Sequence, residues 1–149
     1  MRAALAAVLV TSPDVDLPGY TAMTPAGEDR PTTATAIRYF TAAGGFRQLS
    51  VTLVAAPDPA AARADAATAF RTAVDSLRST THSGAVAIGA DGHRIAGRTK
   101  GYGALQDSIF FVEGSVSVAV TLSSSTPDQP PDLVTGVARA QDVKLRKAA

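Results

Sequence analysis

Few residues of this chain are of types that do chemistry, and their spacing is sparse. His93 directly follows Asp91-Gly92, so Asp91 could orient its imidazole, as carboxylates do for general bases. The plain reading is a solvated turn histidine. Tyr102 lies between Gly101 and Gly103, followed by Asp107, which would suit a small polar mouth at a sheet edge. It would equally suit an ordinary loop. Glu113, one of only two glutamates, sits at a turn. Pointing into a sheet face it would be a perturbed acid; pointing outward it is a turn residue in water. His82 fits best as a cation near a helix C-terminus.

If the chain is an enzyme, Asp107, Tyr102, His93 and Glu113 are its acid–base candidates. They would have to converge within hydrogen-bond reach. A small cofactor-free isomerase or cyclase of specialised metabolism needs no more than such a set and an apolar pocket. No phosphate loop, GxSxG elbow, SxxK pair or HExxH pattern occurs. The two histidines are isolated and cysteine is absent, so no metal site and no cofactor is expected. Arg38, Arg47, Arg94 and Arg98 fall on strand-like segments. Arg94 and Arg98 share parity, so they project from one face and could bind an anion. The alternative is a solvated edge whose charges block aggregation.

The elements that must position these groups are clearer than the groups themselves. Ser108–Ser123 reads SIFFVEGSVSVAVTLS. Val116, Val118, Val120 and Leu122 alternate with Ser117, Ala119 and Thr121, a period of two that marks a half-buried strand. Ile109–Val112 is apolar on both faces, as in a strand near the middle of a sheet. Gly114-Ser115 suits a tight turn, making a central hairpin. A second hairpin joins Ala36–Thr41 to Phe46–Ala55, where Leu49, Val51 and Leu53 point inward. A third is expected over Ala85–Gly89, the Asp91-Gly92 turn and His93–Thr99.

Asp58-Pro59 starts a helix predicted to run to about Ser79, with Ala66, Phe70, Ala73, Val74 and Leu77 on one face. Asp132 caps a last helix through about Arg146, with Val134, Val137, Ala138 and Leu145 inward. Residues 3–11 read either as a short helix or as a clipped signal peptide. From Ser12 to Thr35 four prolines and two glycines break every regular element, and a loop of that length is functional or mobile. Tyr20 and Met23 are its natural anchors. Small residues on the Ala85–Thr99 hairpin leave room for a groove beneath it.

The expected fold is therefore α+β: a single domain over residues 1–149. A mostly antiparallel sheet of about six strands carries two main helices and a short N-terminal one. At 149 residues the chain can bury a core without staples. A net charge of +1 implies no nucleic-acid or membrane-surface partner, and no run is long enough for a transmembrane helix.

Leu9-Val10-Thr11-Ser12-Pro13-Asp14, followed by Leu17-Pro18-Gly19-Tyr20-Thr21, resembles the opening of small actinobacterial envelope proteins. These include lipoproteins and the extracellular sensor-like domains attached to receptor kinases. The later RYF, QLSVTLVAAPD and AAARADAATAF stretches are similar in layout. The match spans most of the chain and carries no catalytic motif. It implies that the first residues are domain. It also implies a secreted or envelope location outside the cytoplasm, with a cytoplasmic one as the alternative. The implied activity is non-catalytic binding of a small apolar or amphipathic molecule, or of a protein partner, in a cleft over the sheet. Tyr20, Met23, Arg94, Arg98 and Tyr102 are then the candidate ligand-binding residues. A third role would be pairing of an exposed sheet edge, across a two-fold axis, with a second copy.

Overall fold

Alternation along two strands decides where the core lies. A computed structural model describes residues 2–42, 46–101, 103–126 and 130–149. In it Leu49, Val51 and Leu53 of β4 (Arg47–Ala55) stand opposite Leu122, Val120 and Val118 of β8 (Val116–Ser124). β8 turns back on β7 (Leu105–Glu113) through Gly114, whose φ of 60° supplies the left-handed residue that the tight turn needs. Ile109 through Val112 are buried on both faces, as their unbroken apolar run predicts.

The remaining strands extend this centre on both sides. On one side β3 (Ala34–Ala42) pairs with β4, and the short β1 (Tyr20–Ala22) and β2 (Ala26–Asp29) share its outer edge. On the other side lie β6 (Ala90–Thr99) and then β5 (Leu77–Ala85). The order β1-β3-β4-β8-β7-β6-β5, with β2 also on β3, makes an eight-stranded sheet in which every pairing is antiparallel.

Both faces of this sheet are covered. One carries α1 (Arg2–Ala7) and α3 (Leu133–Ala148) over Leu49, Val51, Leu53, Ile109, Phe111, Val118, Val120 and Leu122. The other carries α2 (Pro59–Ser76), whose Ala62 and Ala66 meet Val112 and whose Phe70 and Ala73 meet Ile95 and Phe110. Alanines let α2 approach the sheet closely. Asp58 caps it as its sequence predicts, accepting the Ala61 N–H at 2.8 Å, with Pro59 in the first turn.

Five expectations are sharpened or corrected. The sheet has eight strands, not about six, because the Ser12–Thr35 stretch contributes β1 and β2. α2 ends at Ser76, and Leu77 begins a strand. That strand, β5, has no apolar alternation because it is an exposed polar edge, so nothing in it competes with a helical reading. The expected strand Ala85–Gly89 is mostly connection: Val86 donates to the Gly92 carbonyl at 3.0 Å, and Asp91 (φ 54°) lies where the β6 register shifts. Lastly, Asp132 precedes α3 but makes no side-chain capping bond, and Val74 is exposed rather than inward.

Candidate functional site

A large cavity among the described residues lies where three segments meet on the α1/α3 face. Asp16, Leu17, Pro18 and Tyr20 form one wall, Arg47 at the start of β4 lies between, and Leu133, Gly136 and Val137 of α3 form the other. Pro130 and Asp132 complete a lining that encloses about 510 Å³, a usual size for a small-molecule pocket.

Each wall has a local cause. Tyr20 donates its N–H to the Leu17 carbonyl at 3.1 Å across Pro18-Gly19, and Gly19 has φ 83°. Proline first and a left-handed glycine second is the signature of a type II turn. It ends where Tyr20 joins Ala42 in the sheet. Arg47 has the parity of Leu49, Val51 and Leu53, so β4 directs it to the core face rather than to solvent. On α3, a Cβ built at Gly136 would meet nothing within 4 Å. A glycine there costs helix stability and leaves the cavity open.

Arg47 is the distinctive group. It is half-buried, its Nε is buried without a partner, and the guanidinium makes no hydrogen bond or ion pair among the described residues. Burial raises the pKa of the Tyr20 phenol, with the Arg47 charge pulling the other way, so the phenol stays protonated. The positive end of the α3 dipole faces the same space. Asp16 and Asp132 are exposed at the rim. The cleft is thus cationic inside, apolar along Leu17, Pro18, Leu133 and Val137, and acidic at its mouth.

The segment leading into this cleft is tied to α3. Lys144 donates to Leu9 O at 2.9 Å and to Asp14 Oδ2 at 2.6 Å, and Asp14 also accepts the Thr11 N–H and hydroxyl. Lys144 and these Thr11 bonds lower the Asp14 pKa to about 2 from 3.8. Its folded value being depressed, the stabilisation is complete above pH 3.8 and is lost as pH falls through about 2. Asp14→Asn should cost about 0.5–1 kcal/mol at neutral pH after solvent screening. The gap to wild type should vanish near the acid limit, as urea unfolding at several pH values would read.

The other candidate residues are dispersed. Arg94 grips Asp107 bidentately, Nε to Oδ1 at 2.9 Å and Nη2 to Oδ2 at 2.7 Å, so its fork is occupied. Arg98 donates to the Gly103 carbonyl at 3.2 Å. His93 Nε2 lies 3.2 Å from Ser83 Oγ and its ring stacks edgewise on Phe70 at 4.4 Å. Asp91 faces Arg63 instead, at 3.5 Å. His82 lies in β5 opposite Ala96 rather than beyond a helix end. Glu113 meets Arg146 at 3.4 Å. Asp107 and Glu113 are six residues apart on β7, about 20 Å. Met23 is exposed and docks through its backbone, donating to Tyr39 O and accepting from Arg38 Nη1. Tyr102 lies outside the described residues.

Of the ligand-binding candidates, Tyr20 alone among the described residues lines the large cavity. Leu133 and Gly136 carry no signal of a site in the sequence, and Arg47 stands there only as one of four strand arginines; its parity with Leu49 is the signal that sets it apart. The groove expected over the Ala85–Thr99 hairpin is not beneath the Ser12–Thr35 segment. Those two parts occupy opposite edges of the sheet, separated by β4, β8 and β7. Among the described residues no group of three or more metal-ligating side chains occurs, and no helix is long and apolar enough to cross a membrane.

No protein-family model matches the sequence, and no curated protein matches it. Among solved structures the chain is similar to the extracellular domain of PknH from Mycobacterium tuberculosis. The TM-score is 0.72 at 15% identity, over 99% of this chain and 97% of that one. At that identity the likeness establishes a common fold across the whole length.

Proposed function

We propose that this chain is a non-catalytic, extracytoplasmic, sensor-like domain. It captures a small amphipathic molecule bearing one negative charge in the cleft between Asp16–Tyr20 and the start of α3. The observation that carries this reading is Arg47, a half-buried cation with no partner among the described residues, facing a cavity of about 510 Å³. A buried charge without a partner is costly, and a ligand anion would relieve it. The apolar walls would take the ligand's tail, while the acidic rim of Asp16 and Asp132 disfavours a second negative charge. The fold shared with an extracellular domain supports a location outside the cytoplasm.

Decanesulfonate, anionic at every accessible pH, is a suitable probe, with decyltrimethylammonium as its charge-reversed control. Titration calorimetry should show binding of the sulfonate in preference to the ammonium. A charge-assisted hydrogen bond is worth about 1.5–3 kcal/mol, so Arg47→Met should weaken the sulfonate by about tenfold or more. That variant breaks no hydrogen bond among the described residues, so it should fold normally. Gly136→Leu would project into the cavity from a position where an added Cβ meets nothing within 4 Å. It should raise stability by about 1 kcal/mol through helix propensity and abolish binding. Equal affinity of wild type and both variants for the probe would reject the reading.

A further inference from the structure

In the C-terminal half of α3 two acids meet one arginine, Asp142 from the same helix and Glu113 from the sheet. Asp142 is 4% exposed, the most buried ionisable residue of the chain's described part. Its Oδ2 accepts from Arg146 Nη2 at 2.5 Å, while its Oδ1 is buried with no partner. Glu113, at the end of β7, reaches the same guanidinium, its Oε2 lying 3.4 Å from Arg146 Nε. Glu113 borders a mostly apolar pocket with Leu5 of α1, Val8 just beyond that helix, Val116 of β8, Leu145 of α3 and Ala149, the last residue of the chain. Arg146 itself is largely exposed. With both carboxyls ionised the cluster carries one net negative charge, and two carboxylates crowd one cation. With one proton between them the charge is balanced, and the orphan Oδ1 gains a donor.

We propose that Glu113, Asp142 and Arg146 form a proton-dependent clasp that sets how firmly α3 closes the cleft at its other end. This rests on the cleft being the binding site. α3 is one continuous helix, and Gly136 and Arg146 are ten residues, about 15 Å, apart on it. Loosening its C-terminal half therefore shifts the wall formed by Leu133, Gly136 and Val137. Asp142, followed by burial, raises the pKa of Glu113 above its ordinary 4.5, with Arg146 opposing. A raised folded value means that the stabilisation is complete below pH 4.5 and is lost as pH rises through the folded value. The helix is thus held tighter in mildly acidic surroundings than in neutral ones. The pair that Lys144 of the same helix makes with Asp14 does not interfere, since it weakens only below pH 3.8.

The test is thermal unfolding of the full chain and of Glu113→Gln, which is permanently neutral. At about pH 4.5 the two should melt together, and at about pH 7.5 the variant should melt about 2–4 °C higher. A wild type that melts higher at neutral pH would mean that the Glu113–Arg146 ion pair dominates, and would overturn the clasp. So would an unchanged gap at both pH values. Decanesulfonate affinity reads the coupling: between the same two pH values wild type should weaken about fivefold more than Glu113→Gln. Equal pH dependence of the two proteins would overturn the link between clasp and cleft. If Gly136→Leu still binds the probe, the cleft assignment fails, while the melting comparison continues to decide the clasp.

Discussion

Gln141→Met should destabilise the protein by about 2–4 kcal/mol, although methionine fills a similar volume and is apolar. Gln141 is fully buried on α3. Its Oε1 accepts the Val10 N–H at 2.9 Å, and its Nε2 donates to the Val8 carbonyl at 2.7 Å. These are backbone groups that leave the end of α1 and have no strand to pair with. Removing the side-chain amide orphans one buried donor and one acceptor, each costing about 1–3 kcal/mol. The effect should centre on the segment that carries the cleft wall, so the Val10 amide should exchange faster well before global unfolding. Urea unfolding gives the first number and hydrogen exchange the second. A loss below about 1 kcal/mol would mean that the methyl thioether's packing compensates fully and that the amide does not anchor this segment.

Phe111→Ala should cost about 3–5 kcal/mol, the range for removing a fully buried aromatic. Phe111 is 0% exposed in the α1/α3 core, and its ring edge lies where a Cβ on Gly89 would intrude at 2.6 Å. Its neighbour Phe110 faces the other way, into the smaller cluster of Ala73, Leu77 and Ile95 under α2. Phe110 meets Phe70 edgewise at 6.1 Å and stands nearer to solvent. Phe110→Ala should therefore cost less, by about 1 kcal/mol or more, because a site near the surface relaxes into the space left behind. Chemical denaturation of the two variants compares the faces of one strand directly. Equal losses, or a larger one at Phe110, would contradict the assignment of the main core to the α1/α3 side.

Much of this frame was legible in the residues. The period of two in Leu49–Leu53 and Val116–Leu122, the two-sided apolar run at Ile109–Val112, and Asp58-Pro59 are local signals, and each corresponds to what the sheet and α2 do. What was not legible depends on partners distant in the chain. β5 is polar because it is an edge, so its strand character comes from pairing with β6 rather than from its own pattern. β1 and β2 are three and four residues long and exist because β3 offers a free edge. Gln141 and Asp142 look like the polar face of a helix, yet both are buried. Gln141 finds its partners more than 130 residues away. Arg47 reads as one more strand arginine until the cavity beside it is seen. Arg94, by contrast, was placed on the right strand, and only the three-dimensional register brings Asp107 to it.

The claim that Arg47 and the start of α3 form a binding cleft is tested most directly by mapping where the anionic probe sits. In a ¹H–¹⁵N NMR titration with decanesulfonate, the amides of Leu17, Tyr20, Arg47, Leu133, Gly136 and Val137 should shift together and saturate with one affinity. They should stay unmoved in Arg47→Met at the same concentrations. Saturating shifts confined to other parts of the sheet, with these six amides unmoved in wild type, would contradict it.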